Sequence, residues 1–245
     1  DYPADNSRVV VMGLCPSAMT TADSHTTYSL PSRAGLTDVL VTPNGVTGSR
    51  KQPFGRALEF AHAAVRIVLK ARRTDNTVGK LYVKNLKLTV PARLVCGGVK
   101  WDTGTKQYLA APAAADLVIN HSGQILSTED TQVAVFYLTP CSPADLLTDL
   151  TGTGGTPGLT LTADVAKDIN FTTGARNASF PILDGNLNFM DQFGSPATQL
   201  KGGESYETTL KFDIDSFTLE GEEKEWEDGG KMTVPVVVPE PTPGP

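Results

Sequence analysis

An alternation of side chains near the C-terminal end constrains the fold more than any other feature of the chain. The apolar-leaning positions are Tyr206, Thr208, Leu210, Phe212 and Ile214, and the polar positions between them are Glu207, Thr209, Lys211 and Asp213. Successive side chains of a β-strand point to opposite faces, so this run predicts a strand with one apolar face and one wet face. Such a strand is typical of an antiparallel sheet that packs one face on a core.

Similar short runs recur along the chain and are separated by turn residues. Strands are predicted over residues 8–14, 65–70, 81–90, 132–138, 159–164 and 168–172. Residues 93–96 and 107–110 flank Trp101-Asp-Thr-Gly104, which predicts a hairpin with Gly104 at a position of positive φ. Many short strands at this spacing are typical of one or two β-sandwiches. The sequence therefore predicts an all-β fold.

Helical patterns are scarce. Residues 56–70 carry apolar side chains at both helical and alternating positions, but the β-branched second half favours a strand. A register change near Ala63, such as a bulge, would place the apolar residues of both halves on the core face. One short helix is predicted over residues 142–150, where Pro143 follows the candidate N-cap Ser142.

Two stretches of low complexity indicate how the chain is divided. Residues 110–116 are rich in Ala and Pro, and residues 152–158 are rich in Gly and Thr. We place a domain boundary near residue 125 and interpret the second stretch as a long hairpin inside the second domain. This division gives an N-terminal β-sandwich over residues 1–125, a C-terminal β-sandwich over residues 126–234, and a proline-rich tail or edge strand over residues 235–245.

Composition excludes several classes of protein. The chain has 245 residues and a formal net charge of −6, which provides no basic face for a nucleic-acid partner. No run approaches about eighteen apolar residues, so no membrane-spanning helix is predicted. Cys15, Cys96 and Cys141 are odd in number and form no Cys-x-x-Cys pair, and they are predicted to be buried thiols.

Motifs for catalysis and metal binding are incomplete. Residues 151–158 lack the Gly-Lys-Ser/Thr ending of a phosphate-binding loop, and residues 184–191 lack the glycine and closing Glu of a calcium loop. His25, His62 and His121 are far apart and lack metal-ligand spacing, and His62 is predicted to be a hydrogen-bonded core residue. No Gly-x-Ser-x-Gly elbow is present. No catalytic, cofactor-binding or metal-binding residue is therefore predicted, and the chain is not expected to be an enzyme.

Residues 231–245 form a valine run punctuated by proline. Consecutive residues of a strand direct their N–H groups to alternate edges. Pro235 and Pro239 have the same parity, so both missing N–H groups fall on one edge, and the other edge keeps the N–H groups of Val236 and Val238. A strand of this kind pairs well on one side only. It either caps its own sheet or completes the sheet of a neighbour.

Motifs spread along the chain form one further pattern. They are Tyr2-Pro-Ala-Asp-Asn6 with Val9-Val-Val-Met-Gly13-Leu-Cys-Pro16, Thr37-Asp-Val-Leu40, Leu58-Glu-Phe-Ala-His62, Gln199-Leu-Lys-Gly-Gly-Glu-Ser-Tyr206 and Trp226-Glu-Asp-Gly-Gly230. In this order and spacing the chain resembles the fimbrillin-like proteins, the pilin subunits of bacterial type V pili. In that family such motifs mark a first retained strand, a D(I/V)L … L-x-F-x-H signature, the entry to a late strand and a closing W-x-D-G.

The resemblance implies two tandem transthyretin-like β-sandwich domains and export as a lipoprotein to the outer membrane, where the protein forms part of a fimbrium. It also implies that a protease cut after an arginine removes a first strand, and that a C-terminal strand of the next subunit fills the groove. The assembly strand is then expected at Val234, Val236, Val237 and Val238, and the partners are other pilus subunits. The lipoprotein leader is not in this sequence, so Asp1 is expected to lie close to a processed terminus.

Two other functions stay open at this point. A cell-surface adhesin module that binds a host carbohydrate or protein, without polymerising, would use the same sandwich. A cluster of Trp101, Tyr108 and Tyr28 on one concave face would favour glycan binding, whereas buried positions would not. A secreted enzyme with a site assembled from distant residues is the third alternative.

Overall fold

The computed structural model describes residues 3–17, 20–22, 26–30, 33–53, 58–73, 82–123, 128–142, 145, 158–173, 175–181, 199–212, 217–225 and 231–234. Within these residues the fold is all-β and contains no α-helix, which confirms the predicted fold class. The strands are β1 (Val9–Val11), β2 (Leu14–Cys15), β3 (Thr20–Ala22), β4 (Thr27–Ser29), β5 (Leu40–Val41), β6 (Val46–Gly48), β7 (Ala61–His62), β8 (Val65–Arg73), β9 (Tyr82–Val90), β10 (Cys96–Asp102), β11 (Gln107–Pro112), β12 (Leu117–His121), β13 (Thr131–Leu138), β14 (Thr160–Ala166), β15 (Arg176–Pro181), β16 (Glu204–Phe212), β17 (Phe217–Glu225) and β18 (Lys231–Val234).

Two sheets carry the larger of two hydrophobic cores. One has the strand order β12-β9-β14-β15, and the other has the order β13-β8-β16-β17-β18. Neighbouring strands are antiparallel except for β8 and β16, which run parallel from Arg66 opposite Ser205 to Arg73 opposite Phe212. Fully buried side chains of this core include Leu86, Phe136, Leu138, Leu161 and Tyr206.

Alternating apolar residues place several strands of the larger core where the sequence predicts them. The predicted strands at residues 65–70, 81–90, 132–138 and 159–164 correspond to β8, β9, β13 and β14. In β9 the alternation of buried and exposed side chains is interrupted at Asn85, whose φ is 52°. The register between β9 and β14 shifts at the same place, so the irregular pattern of this strand records a bulge.

A smaller core lies between two further sheets, which have the strand orders β11-β10-β4-β3 and β2-β5-β7. Its buried residues are Leu30, Val39, Val41, Ala63 and Val99, and Leu14, Tyr28 and Tyr108 pack against them. β1 and β6 form a separate two-stranded ribbon. Most strands of this region have only two or three residues, so few side chains hold it together.

The boundary predicted near residue 125 does not agree with the strand pairing. β9 pairs with β14, and β8 pairs with both β13 and β16, so a boundary there would cut both sheets of the larger core. The Ala- and Pro-rich stretch 110–116 is not a linker, because its first three residues end β11 and residues 113–116 form a short connection to β12. Ala113 N–H donates to Val95 O at 2.8 Å, and Asp116 Oδ1 accepts from Ala92 N–H at 2.8 Å.

The prediction of a strand over residues 168–172 is wrong, because the Asp168 side chain closes a turn there. Its carboxylate accepts hydrogen bonds from the backbone N–H groups of Asn170, Thr172 and Thr173. The bond from Thr173 is the main cause of a lowered pKa for Asp168. Bonds from a side chain to nearby backbone compete with strand pairing, and a φ of 57° at Phe171 completes the turn.

The hairpin predicted around Trp101 is confirmed as β10 and β11. Its residue of positive φ is Lys106, at 57°, whereas the sequence predicts Gly104. Asp102 Oδ1 accepts bonds from Thr105 N–H and Oγ1 at 2.6 and 2.9 Å, so an Asp side chain fixes this turn.

The register change predicted near Ala63 is present as a break between β7 and β8, but the two halves enter different sheets. Phe60 is 47% exposed, so the first half does not face the core as predicted. The turn at Ser142 is described, with Ser142 N–H donating to Asp145 Oδ2 at 2.9 Å. Most of the predicted helix, the glycine loop and the Val236–Val238 segment lie outside the described residues.

Candidate assembly and binding surfaces

Asp38 and His62, which belong to two of the motifs singled out in the sequence, meet between the two cores. His62 Nδ1 lies 2.7 Å from Asp38 Oδ2, and Asp38 Oδ1 accepts a bond from Val39 N–H at 2.8 Å. His62 is therefore hydrogen-bonded as predicted. The side chains of His62 and Asp38 are 31% and 27% exposed, however, so the pair lies at a half-buried junction and not in a core.

Another motif, Gly202 to Tyr206, reaches the same junction through its backbone. Ala63 N–H donates to Val39 O at 2.9 Å, and Gly203 N–H donates to Ala64 O at 3.0 Å. A Cβ on Gly202 would lie 2.7 Å from Ala63 O, and Gly203 has a φ of 88°. Only glycine meets both conditions without strain. Motifs that are far apart in sequence thus fix the point where the chain enters β8.

Described side chains on the outer face of β8 and β16 pair with one another. Arg66 Nη1 donates to Ser205 Oγ at 3.1 Å, and Lys70 Nζ lies 2.5 Å from Glu207 Oε2. Ser205 is 3% exposed, so the face predicted to be wet is partly buried. Burial raises the pKa of Tyr137 on the neighbouring strand, and the Asp38 carboxylate adds to that shift.

The C-terminal strand β18 closes the order of the five-stranded sheet. It pairs antiparallel with β17, with Val234 opposite Leu219 and Lys231 opposite Glu222. Val234, the first residue of the predicted assembly strand, is therefore the last paired residue described. The roles of Val236, Val237 and Val238 stay predictions.

The ribbon of β1 and β6 exposes apolar side chains on both faces. Val10 is 50% exposed and Val11 is 36% exposed, although neighbouring residues of a strand point to opposite sides. Among the described strands, β1 pairs with β6 alone. The sequence predicts the strand but not its exposure, because a run of consecutive valines is more typical of a strand buried on both faces.

Trp101, Tyr108 and Tyr28 form one cluster on the sheet that contains β4, β10 and β11. Trp101 lies opposite Tyr108, and Tyr28 lies opposite Val99, so all of these side chains share one face. The ring centroids of Tyr108 lie 5.1 Å from Trp101 and 6.2 Å from Tyr28. All three aromatic residues are half-buried. The three aromatic residues that would favour glycan binding if clustered do lie together, beside the smaller core and neither fully buried nor fully exposed.

The Tyr108 hydroxyl is the most perturbed group of this cluster. Burial raises the pKa of Tyr108 to about 12, and the charge of Tyr28 and a hydrogen bond with its side chain contribute. The Tyr108 hydroxyl therefore stays neutral at physiological pH, where it can donate and accept hydrogen bonds. The cluster combines apolar ring surface with polar tips.

Within the described residues, no group of three or more His, Cys, Asp or Glu side chains could hold a metal ion. Cys96 and Cys141 are buried as predicted, but Cys15 is exposed, which corrects the prediction for that thiol. In the same part of the chain, no helix has the length and apolarity needed to cross a membrane.

Comparison with known proteins identifies solved structures with a similar fold. No family model matches the chain, and no curated protein matches it. Among solved structures it is similar to a candidate cell adhesion protein from Bacteroides uniformis, with 12% identity, a TM-score of 0.50, and coverage of 92% of this chain and 76% of that one. A fimbrial protein from Bacteroides vulgatus gives 14% identity, a TM-score of 0.46, and coverage of 92% and 80%. At this identity the first likeness shows a shared fold alone.

Proposed function

We propose that this chain is a structural, non-enzymatic subunit of a cell-surface pilus that assembles by β-strand donation and contributes to adhesion. One observation carries the proposal: β18 lies at the end of its sheet and continues directly into a valine run that proline allows to pair on one edge only. The fold shared with a candidate cell adhesion protein supports it. In this proposal the protein is exported as a lipoprotein precursor to the outer membrane and functions in the fimbrium.

The donor segment comprises Val234, Val236, Val237 and Val238. Leaving β17 and pairing with another chain exchanges backbone hydrogen bonds of the same kind, so the side chains decide which pairing is favoured. Burying an apolar side chain contributes about 25 cal/mol for each Å² removed from water. If an acceptor site on another chain buries several of these valines, pairing with that chain is therefore more favourable than pairing with β17.

The ribbon of β1 and β6 is the candidate acceptor. An isolated two-stranded ribbon is marginally stable, and an open apolar edge is a template for pairing. A third strand that joined this ribbon would place its side chains beside Val10 on one face and beside Val11 on the other, and would remove part of their apolar surface from water. The ribbon is also anchored for such a role, because Lys51 N–H donates to Asn6 Oδ1 at 2.8 Å and ties together the segments that flank it.

Two variants separate the donor role from the acceptor role. Deletion of residues 231–245 is expected to leave a folded chain that no longer polymerises, and Val10→Lys is expected to block acceptance by placing a charge beside the incoming apolar strand. Val118→Lys is the matched control, because Val118 is 45% exposed on β12 and Val10 is 50% exposed on β1. Light scattering after size exclusion measures chain length, and thermal unfolding checks the fold.

Mixing the variants gives a further test. A chain without a donor and a chain without an acceptor can form one joint between them, so the mixture should stop at dimers. Polymerisation of the deleted chain alone would rule out the donor segment. Loss of polymerisation by Val118→Lys to the same degree as by Val10→Lys would rule out the ribbon as acceptor.

A further inference from the structure

The aromatic cluster of Trp101, Tyr108 and Tyr28 lies where the smaller core ends. Val99, on the same face, is 0% exposed and belongs to that core, whereas Trp101 lies two residues further along β10 and is half-buried. Tyr28 and Tyr108 pack against this core, which fixes the positions of their rings. Trp101 continues the same face toward the hairpin turn.

We propose that this cluster is a saccharide-binding platform, which takes the ring face of a hexose on Trp101. The C–H bonds of a sugar ring carry partial positive charge, and the face of an aromatic ring is negative, so the two attract. The hydroxyls of the sugar need polar partners at the rim of such a surface. The proposal is independent of strand donation and applies equally to a monomer.

The rim of the platform supplies those partners. The indole Nε1–H donates, and the Tyr28 and Tyr108 hydroxyls donate and accept. Thr26, which comes directly before β4, accepts a bond from Trp101 N–H at 2.7 Å through its carbonyl oxygen, so its backbone lies beside Trp101. A purely apolar partner would cover these polar groups without bonding them, which is costly. A sugar matches both the rings and the rim.

The backbone below the platform is fixed. Cross-strand pairing of β10 with β11 continues without a shift from Gly98 to Asp102, and the Asp102 side chain closes the turn at its end. The two Thr105 hydrogen bonds are the main causes of a lowered pKa for Asp102, which therefore stays a carboxylate at neutral pH. Aromatic side chains on a rigid hairpin lose little conformational freedom on binding, which favours a weak ligand such as a sugar.

The test uses the fact that the chain contains two tryptophans, Trp101 and Trp226. A Trp226→Phe protein reports on Trp101 alone, and its fluorescence should change and saturate on titration with lactose, cellobiose or chitobiose. Isothermal titration calorimetry on monomer fractions then compares variants. Trp101→Leu is expected to weaken binding at least tenfold, a loss typical of a central aromatic anchor, and Tyr108→Phe is expected to weaken it several-fold.

Leu109→Ala is the matched control. Leu109 is 49% exposed on the same hairpin but lies opposite Lys100, on the other face of the sheet. Unchanged affinity in this variant, with loss in Trp101→Leu, supports the platform. If Trp101→Leu fails to fold, the same comparison is made with Tyr108→Phe, which keeps the ring.

Three outcomes would overturn the proposal. The first is that none of the three disaccharides changes Trp101 fluorescence at millimolar concentration. The second is binding that Trp101→Leu and Tyr108→Phe leave intact. The third is that a synthetic peptide of residues 235–245 binds the cluster while the sugars do not, since proline-rich segments also dock on aromatic surfaces.

Discussion

The two cores of this protein differ in how completely they are covered. The larger core contains twenty-one buried apolar residues among the described residues, and the smaller core contains five. Large apolar side chains that stay exposed occur mainly around the smaller core: Val10, Val11, Phe60 and Leu109. A region with few buried residues leaves its periphery open. The ribbon proposed as acceptor and the surface proposed for sugar binding both lie there, whereas the donor strand β18 belongs to the five-stranded sheet of the larger core.

Strand length explains much of this difference. The strands β8, β9 and β16 each have nine residues, and each places two or more buried apolar side chains in the larger core. The strands β2, β5 and β7 have two residues each, and such short pairings cannot cover a sheet. The larger core therefore contributes most of the buried apolar side chains that stabilise the fold. The smaller region leaves more apolar side chains exposed.

The largest expected effect compares one leucine from each core. Leu138→Ala should destabilise the fold by about 3–5 kcal/mol, because Leu138 is 0% exposed at the centre of the larger core. Leu30→Ala should cost about 2–3 kcal/mol, because Leu30 is 8% exposed and belongs to a core of only five buried residues, so truncation removes fewer buried contacts. Urea unfolding followed by circular dichroism measures both. Equal losses would show that the two cores are equally well packed.

Alternation predicts the strands of the larger core from sequence because those side chains face a single core. The wet side of β16 was harder to predict, since Glu207 is drawn into an ion pair with Lys70 on β8. Pairing between residues so distant in sequence leaves no local pattern. For the same reason the sequence could not show that both sheets continue across residue 125.

The surfaces of the smaller region were predictable in part. The hairpin pattern around Trp101 places Tyr108 opposite it, so that half of the aromatic cluster follows from local sequence. Tyr28 joins only through the pairing of β4 with β10, which is a property of the topology. The exposure of Val10 and Val11 likewise depends on what packs beside β1, and a valine run alone does not specify it.

A smaller effect is expected at the junction between the two regions. Gly202→Ala places a Cβ 2.7 Å from Ala63 O, which is a backbone atom that cannot move without shifting the entry to β8. A loss of about 1–3 kcal/mol is expected from such overpacking. Gly104→Ala is the control, because its added Cβ would meet only Asp102 Oδ1, at 3.4 Å. Similar unfolding midpoints for the two variants would mean that the junction is not tightly packed.

The smallest effect concerns the thiols, which report how the two regions open. Burial raises the pKa of Cys96 to about 11 and that of Cys141 to about 12, from an ordinary value of 9.0. The thiolate is the reactive form, so at pH 8 both buried thiols should react with a disulfide reagent only after opening, while exposed Cys15 reacts at once. The stabilisation that follows from the raised pKa values is complete below pH 9 and is lost as the pH rises through 11 to 12.

The order of labelling then tests the comparison between the two regions. Cys96 lies on β10 of the sheet over the smaller core, and Cys141 belongs to the larger core. In mild urea at pH 8, Cys96 should be labelled before Cys141, because regions with few buried contacts open at lower free energy. Mass spectrometry of labelled peptides assigns each thiol, and Cys15→Ser removes the fast background reaction. Labelling of Cys96 and Cys141 at one common rate would show that the two cores unfold as a single unit. The exposed apolar side chains of the smaller region would then result from its short strands and not from low local stability.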